Sequence, residues 1–362
     1  MNKVRYILGA GFSAPLGLPT RAALLERAKD MIFRQPERYE RHQALIREFD
    51  QVAKVGVYCQ TDPLDFEEVM GIIEMENFAK ARRTKKPFVD LLQDTIEHYS
   101  RALDKIEGPT GSDWVAQPFG ALRRLNLYGV FLASLFSLTL RRTEQTGELA
   151  EGSVAYEAQS DAARSDYGVV TTNFDLVLER FLEALTNHYR CDEDVRFARP
   201  VIDEDFDPEM PGVPMVKLHG SIDSDIVIPP TWARSTHRKA AQLWEQGLAR
   251  LSEANHIRII GHALAPGDLH LRYLLKAAVL AAPHLKTIDA ICLDPDGSVA
   301  KRYDSFFPYR NLRFVNADVV SYLRFITEWT QKQNGESESL AATRLEEAHE
   351  EFMVRAVVSR KA

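Results

Sequence analysis

Short apolar runs recur along this chain, and most of them alternate with stretches in which apolar residues are spaced as in a helix. The runs are apolar at successive positions, which indicates strands that are buried on both faces. Strands of this kind that alternate with helices are typical of a parallel sheet covered on both sides. The sequence therefore predicts an α/β protein with a Rossmann-like, doubly wound parallel sheet. The predicted strands are Val4–Leu8, Gly168–Val170, Met215–Leu218, Ile257–Ile260, Ile288–Leu293 and Leu312–Val315.

One long segment interrupts this alternation. Residues 33–165 contain few strand-like runs and are rich in Glu, Lys, Arg, Leu and Ala, so we interpret them as a helical insertion in a catalytic domain that spans residues 1–330. A polar stretch, Thr143–Ser165, closes the insertion. The helices predicted within it are Leu64–Met75, Phe88–Leu103 and Leu122–Leu140.

The C-terminal residues 331–362 begin with a polar stretch and continue as a charged amphipathic segment, Leu340–Val358. They predict a polar linker followed by a helix that is either solvated or in contact with another subunit.

Composition and charge exclude several classes of protein. The formal net charge of −7 argues against direct binding of nucleic acid over a broad surface. The most apolar stretch, Leu125–Leu140, is short for a membrane span and contains polar residues, which favours a core helix. Cys59, Cys191 and Cys292 lie too far apart in sequence for a zinc pair or a disulfide framework. We expect a cytoplasmic protein without a secretory leader or a metal site.

A glycine-rich turn follows the first strand. Residues 9–14 read Gly-Ala-Gly-Phe-Ser-Ala, which fits the dinucleotide-binding form G-x-G-x-x-A, and a helix is predicted at Ala22–Ile32. The acidic residue that this motif expects about twenty positions later is missing, because Asp30 lies in a helical pattern. An ordinary dehydrogenase is therefore disfavoured, and a tight turn without a ligand stays open as an alternative.

Three further strands end in polar or glycine-containing turns. Asn173 and Asp175 follow the second strand, His219 follows the third, and Gly261 and His262 follow the fourth. Ligands bind at the carboxyl edge of parallel sheets, where all these residues are expected to meet. A histidine there can act as a general base. Each residue also has a purely structural alternative, such as a helix cap at Asn173 or Asp175.

The chain resembles the sirtuin-like (silent information regulator) superfamily over about residues 4–320. The resemblance rests on four segments in this order: G-A-G-x-S at residues 9–13, T-x-N-x-D at 171–175, L-H-G-S at 218–221, and the glycine-led loop that begins at Gly261. The resemblance implies that NAD is the substrate, that His219 is the catalytic base, and that Asn173 and Asp175 face the nicotinamide ribose. Gly261 and His262 match the loop on the adenosine side. The implied phosphate and ribose contacts are Gly9, Ala10, Gly11, Phe12 and Ser13, with Thr20 as a further contact.

The sequence departs from deacetylating sirtuins after the catalytic histidine. Residues 222–232 contain none of the cysteines that build the zinc module of those enzymes. The chain is therefore similar to the bacterial sirtuin-like domains of antiphage defence systems, which hydrolyse NAD. This resemblance implies an NAD+ glycohydrolase in which Asn173, Asp175 and His219 are catalytic and water is the acceptor.

Two other functions stay open. One is NAD-dependent protein deacylation or ADP-ribosylation, in which an acceptor other than water would change the products. The other is a non-catalytic subunit that senses NAD or ADP-ribose and leaves the ligand intact. By analogy with defence systems, we expect a homo-oligomer whose activity is controlled by a separate protein, such as a HerA-like ATPase or a short Argonaute-type partner.

Overall fold

The computed structural model describes residues 1–59, 65–80, 85–109, 113–144, 154–160, 165–200, 211–224, 226–228, 238–308, 311–334, 339–341 and 344–359. Within these ranges, the strands are β1 (Asn2–Leu8), β2 (Leu138–Glu144), β3 (Val154–Ser160), β4 (Ser165–Thr171), β5 (Arg190–Cys191), β6 (Phe197–Ala198), β7 (Val213–Lys217), β8 (His256–Ile260), β9 (Thr287–Cys292), β10 (Leu312–Asn316) and β11 (Ser339–Ala341). The α-helices are α1 (Ala10–Ser13), α2 (Leu24–Arg34), α3 (Gln43–Cys59), α4 (Phe66–Ala79), α5 (Lys85–Tyr99), α6 (Arg123–Leu135), α7 (Val177–His188), α8 (Arg238–Ser252), α9 (Leu269–Ala281), α10 (Ser298–Phe306), α11 (Val319–Asn334) and α12 (Leu345–Ser359).

The main sheet has the order β10-β9-β8-β1-β4-β7-β6, and every pair of neighbours in it is parallel. Apart from the short edge strand β6, this is the 3-2-1-4-5-6 order of the Rossmann fold, with β1, β4 and β7 in one half and β8, β9 and β10 in the other. The predicted fold class is confirmed, and each of the six predicted strands is present. The order of the strands reverses between β1 and β8, so the carboxyl ends of these two strands flank the switch point.

Strand β1 illustrates why the sheet is covered on both sides. Successive side chains of a strand point to opposite faces. Val4, Tyr6 and Leu8 join the apolar cluster that contains α6, α7, α11 and α12, whereas Ile7 joins the cluster beneath α8, α9 and α10. All four side chains are buried. Burial of each apolar side chain contributes about 1.5–3 kcal/mol to folding, which explains why the run is apolar on both faces apart from Arg5, a buried residue that pairs with Asp166.

The predicted helix Leu122–Leu140 is shorter in the structure. Helix α6 ends at Leu135, and Ser137, which has a positive φ of 54°, turns the chain into β2. The polar stretch Thr143–Ser165 contains β3, which pairs antiparallel with β2. A second sheet of order β11-β2-β3-β5 results. The buried apolar residues of β2 were assigned to a helix because a short apolar run has no period that distinguishes helix from strand.

The described residues between 40 and 105 lie mostly in helices. Helices α2, α3, α4 and α5 contribute to their own apolar cluster, in which Leu25, Phe49, Val69 and Leu91 are each buried. This helical cluster packs beside the carboxyl edge of the main sheet. No helix in the described part of the chain combines the length and apolarity needed to cross a bilayer.

The predicted C-terminal helix is present as α12, and it packs against α11 instead of standing in solvent. Its polar residues face buried partners: Glu346 accepts two hydrogen bonds from Arg258, at 2.9 and 2.7 Å. His349 is fully buried, with its Nε2 3.0 Å from Asp289 Oδ2 and its Nδ1 3.0 Å from the Tyr322 hydroxyl. The sequence pattern appeared solvent-facing because its charges are satisfied by partners that lie far away in sequence.

Burial of His349 makes the stability of the fold depend on pH. Burial, together with the positive charge of Arg258, lowers the pKa of His349 to about 4, whereas an unfolded histidine has a pKa of about 6.5. Below pH 6.5 His349 therefore binds a proton in the unfolded chain but remains neutral in the folded chain. We expect the free energy of unfolding to fall by up to about 3 kcal/mol from this residue as the pH decreases from 7 to 4.

Urea unfolding at several pH values measures this loss. In His349→Gln the decline with decreasing pH should be shallower than in the wild type, because the contribution of His349 is removed while those of the other titrating groups remain. His284→Gln removes an exposed histidine and should keep the wild-type slope. Equal slopes for His349→Gln and the wild type would contradict the expectation.

Candidate functional site

A cavity of about 550 Å³ lies at the carboxyl edge of the main sheet. Ligand pockets in proteins are typically about 300–1,000 Å³. Its lining includes Asp318, after β10, and residues at or after the ends of five adjacent strands, β7, β4, β1, β8 and β9. At a strand spacing of about 4.8 Å, these positions span roughly 19 Å. The helical cluster forms a facing wall with Leu24, Phe66, Leu92 and Ile96. The cavity is therefore long and has polar residues from the sheet on one side and apolar residues on the other.

The structure brings most of the predicted site residues to this cavity. Those that line it are Ala10, Gly11, Thr20, Asn173, Asp175, His219, Gly261 and His262. Gly9, Phe12 and Ser13 do not line it. The ring of Phe12 is buried in the core, with centroid distances of 5.1 Å to Tyr128 and 5.8 Å to Phe131. Gly9 and Ser13 instead accept hydrogen bonds from a residue that does line the cavity, Asn173.

The glycine-rich turn after β1 touches the turn after β8, backbone against backbone. Gly11 N donates to Gly261 O at 2.9 Å, and Gly9 N donates to Ile260 O at 3.1 Å. A Cβ on Gly11 would lie 2.6 Å from Gly261 O, and a Cβ on Gly261 would lie 2.3 Å from Phe12 N. Gly261 also has a φ of +67°. These glycines are therefore required by the contact between the two turns, whether or not a ligand is bound.

Substitution of Gly261 tests this contact. We expect Gly261→Ala to lower the free energy of unfolding by more than about 3 kcal/mol, because a left-handed non-glycine residue costs about 1–3 kcal/mol and the new Cβ also overlaps Phe12 N. Gly267→Ala in the same loop is the matched control, because a Cβ there meets nothing within 4 Å. Urea denaturation compares the two variants, and losses of equal size would contradict the proposed contact.

Asn173 lies at the centre of the site, just beyond the end of β4. Its Nδ2 donates to Gly9 O at 3.0 Å and to Ser13 Oγ at 3.2 Å, which fixes the orientation of the amide. Its Oδ1 is buried and has no hydrogen-bond partner among the described residues. A buried acceptor without a donor costs about 1–3 kcal/mol, so the site gains when a ligand or a water molecule supplies one. A ribose hydroxyl is a donor of the required kind.

Asp175 follows on the same loop and is partly buried. Burial raises its pKa above the ordinary range, while the positive charge of Lys217 and a hydrogen bond with Ser13 oppose this rise. Its Oδ1 accepts a hydrogen bond from Val177 N at 3.1 Å, at the beginning of α7. The helix-capping alternative therefore describes a real contact, and the same carboxylate also lines the cavity.

Lys217, the last residue of β7, supports this loop from below. It is 5% exposed, and its ammonium group donates to Glu179 Oε1 at 2.9 Å and to the backbone carbonyls of Asp175 and Phe174. One buried cation thus ties the strand that carries His219 to the loop that carries Asn173.

Removal of this cation should destabilise the protein. We expect Lys217→Met to lower the free energy of unfolding by about 3 kcal/mol, because it leaves Glu179 and two carbonyls without their donor. Lys301→Met removes the same group from an exposed position on α10 and should change stability by less than about 0.5 kcal/mol. Urea unfolding compares the free energies of unfolding of the two variants. A Lys217→Met protein as stable as Lys301→Met would contradict the role of Lys217 in holding the loop that carries Asn173.

His219 lies just beyond the end of β7 and is 4% exposed. Its Nδ1 is 3.2 Å from Thr172 O, and a carbonyl accepts only from a protonated nitrogen. In the neutral ring the lone pair therefore resides on Nε2. The rings of Phe174 and Trp244 lie 5.5 and 6.0 Å from the imidazole. A histidine oriented in this way is suited to accept a proton in the cavity.

His262 is a second imidazole in the cavity and has a different state. Burial lowers its pKa, so the ring is neutral near pH 7. Leu264 N donates to its Nδ1 at 2.9 Å, which leaves the hydrogen on Nε2, 4.0 Å from Asp268 Oδ2. His262 is therefore a hydrogen-bond donor, in contrast to His219.

Several residues that line the cavity are not indicated by any sequence motif. Arg21 follows Thr20 directly, and Arg302 lies in the second turn of α10, where no motif marks it. Cys292, Leu293 and Asp318 lie at or beyond the ends of β9 and β10, which end in no glycine-rich turn. The signal available in the sequence was their position after predicted strands. Within the described ranges, no group of three or more His, Cys, Asp or Glu side chains is placed to hold a metal ion.

The chain is similar in structure to several sirtuins. It aligns with Sir2Tm bound to a propionylated peptide at 12% identity, over 90% of this chain and 92% of that one, with a TM-score of 0.37. A complex of Sir2 with a p53 peptide and NAD+ aligns at 12% identity over 91% and 94% of the two chains, with a TM-score of 0.35. Sir2 bound to an acetylated peptide aligns at 13% identity over 90% and 92%, with a TM-score of 0.34. No protein-family model and no curated protein sequence matches the chain.

Proposed function

We propose that this protein is an NAD+ glycohydrolase, which cleaves the bond between nicotinamide and ribose and gives nicotinamide and ADP-ribose. One observation carries the proposal: Asn173, Asp175 and His219, from two different strand ends, line one cavity together with the glycine-rich turn. The length of that cavity along five strand ends suits an extended dinucleotide. The sirtuin-like order of the motifs in the sequence points to the same substrate.

The proposed chemistry follows from the positions of these side chains. Nicotinamide leaves with the electron pair of the broken bond, and the ribose becomes an oxocarbenium-like cation. Asn173 Oδ1, which is buried and has no partner among the described residues, accepts a hydrogen bond from a ribose hydroxyl or from the attacking water. Asp175 helps to position the ribose, and His219 Nε2 takes the proton that the water loses. Water and NAD+ thus yield nicotinamide, ADP-ribose and one proton.

Water is the proposed acceptor because the sequence after His219 lacks the cysteines of the zinc module on which the acyl-lysine groove of deacetylating sirtuins partly depends. The biological setting extends the analogy with defence sirtuins. We propose a cytoplasmic, homo-oligomeric effector that depletes NAD during phage infection. Constant NAD loss would harm the host, so a separate protein would keep the enzyme inactive until infection. A HerA-like ATPase or a short Argonaute-type protein could be this regulator.

Product analysis tests the proposed function. We expect purified protein to convert NAD+ to equal amounts of nicotinamide and ADP-ribose. Chromatography measures both products, with and without the candidate partner. His219→Ala should lower the rate at least a hundredfold, because general acid–base catalysis by one side chain contributes about 10²–10⁴-fold. Asn173→Ala should lower the rate by about a hundredfold, because loss of a side chain that positions the substrate can cost about that factor. His284→Ala removes an exposed histidine outside the cavity and should keep the wild-type rate.

The same assay separates the other two functions. Products that change when an acylated-lysine peptide or another protein acceptor is added would indicate deacylation or ADP-ribosylation. Intact NAD+ under every activating condition, with measurable binding, would refute the glycohydrolase and indicate a sensing subunit.

A further inference from the structure

We propose that Arg302 is the phosphate-binding residue of the cavity and that it takes a nucleotide phosphate which the amides of the glycine-rich turn do not bind. The proposal rests on the proposed binding of a dinucleotide. It adds a contact that the sequence motifs do not indicate, on the side of the cavity formed by β8 and β9. The residue belongs to α10, well outside the motifs at the ends of β1, β4 and β7.

Three amides of the glycine-rich turn already donate hydrogen bonds within the protein. Gly9 N donates to Ile260 O at 3.1 Å, Gly11 N donates to Gly261 O at 2.9 Å, and Phe12 N donates to Gly9 O at 2.8 Å. In dinucleotide-binding turns, a phosphate is held by the backbone amides at the N-terminus of a helix. Here three of these donors are used within the protein, so the negative charge of a bound phosphate needs another partner.

Arg21, the other arginine that lines the cavity, is neutralised by two carboxylates of the helical cluster. Its NH1 lies 2.5 Å from Glu67 Oε2, and its NH2 lies 3.6 Å from Asp65 Oδ2. A phosphate at Arg21 would have to displace Glu67 or share the guanidinium with it. Arg21 is therefore a poor anion site in this arrangement.

Arg302 is in a different position. Among the described residues, its hydrogen bonds are with its own helix: Nε donates to Ser298 O at 3.3 Å, and NH2 lies 3.5 Å from Ser298 Oγ. Both partners are uncharged and the distances are long, so most of its five N–H donors are available for a ligand. Helical side chains lean toward the N-terminus of their helix, and the guanidinium thus reaches back toward the carboxyl edge of the sheet, where it lines the cavity.

The two carboxylates that precede α10, Asp294 and Asp296, cap this helix. Asp294 accepts from Val299 N and Ala300 N at 3.0 and 2.9 Å, and Asp296 accepts from Ser298 N at 3.0 Å. The charge of Arg302 reaches the wall of the cavity: it contributes to the lowered pKa of His262 and opposes the rise in the pKa of the Cys292 thiol that burial causes. A planar guanidinium binds phosphate through two parallel hydrogen bonds.

Two groups can supply this phosphate. One is the pyrophosphate that NAD and ADP-ribose share, and the other is a 2′-phosphate on the adenosine ribose, as in NADP. Calorimetric titration of the full-length protein with ADP-ribose and with 2′-phospho-ADP-ribose distinguishes them. We expect Arg302→Gln to weaken binding of ADP-ribose about tenfold to a hundredfold if the pyrophosphate is held. A loss confined to 2′-phospho-ADP-ribose would assign Arg302 to the 2′-phosphate.

Two further variants complete the test. Lys301→Gln removes the same charge from the neighbouring, exposed position and should leave both affinities within about twofold of the wild type. Arg302→Lys keeps the charge without the planar fork and should give an intermediate affinity, which keeps the test open if Arg302→Gln is unstable. Wild-type affinities in Arg302→Gln, or equal losses in Arg302→Gln and Lys301→Gln, would overturn the proposal.

The outcomes also separate this proposal from the proposed function. Tight, Arg302-dependent binding of ADP-ribose without cleavage of NAD+ would refute the glycohydrolase and leave the phosphate site intact. Cleavage of NAD+ by Arg302→Gln with a wild-type kcat/KM, together with wild-type affinities, would refute the phosphate site alone. A wild-type protein that binds neither ligand and cleaves no NAD+ would refute both.

Discussion

The contact between the turns after β1 and β8 organises the carboxyl edge of the sheet. Gly11 donates to Gly261 O at 2.9 Å, and an added Cβ on either residue would overlap the other turn. The two turns lie at the point where the strand order reverses, which is where α/β proteins form their ligand crevices. Close contact here brings Ala10, Gly11, Gly261 and His262 onto one wall of one cavity. The glycines of the motif are thus explained first by packing between the two halves of the sheet.

Hydrogen bonds near the carboxyl edge of the sheet fix the positions of the proposed catalytic residues. Asn173 is oriented by Gly9 O and Ser13 Oγ, and its loop is tied to β7 by Lys217. The contacts of Asn173 are buried and that of Lys217 is partly buried, and low exposure strengthens electrostatic interactions because solvent screens them less. Preorganisation of this kind suits a site that must place a ribose and a water molecule within hydrogen-bond distance of fixed groups. The cost is a fold that tolerates few changes at these positions.

The C-terminal helix α12 makes buried polar contacts with strands of the main sheet and with α11. Glu346 pairs with Arg258 of β8, and His349 bridges Asp289 of β9 and Tyr322 of α11. Arg258 also donates to the hydroxyl of Tyr6 at 2.7 Å, in the strand that leads to the glycine-rich turn. A chain of buried contacts therefore links α12 to β1. This link gives the C-terminal helix a structural role within its own chain, in addition to any role in assembly.

The sequence by itself determined six of the seven strands of the main sheet and the four turns after them, because buried parallel strands have largely apolar runs and each motif lies directly after one. Its apolar periodicity also identified the first helices of the insertion. It did not determine β2 and β3, since a short apolar run followed by charged residues fits a helix as well as a strand. Only the tertiary structure decided that Phe12 faces the core, that the amides of the glycine-rich turn bind backbone carbonyls, and that Arg302 lines the cavity. These three features depend on contacts between residues more than a hundred positions apart or on the direction of a side chain in a helix, which local sequence patterns do not contain.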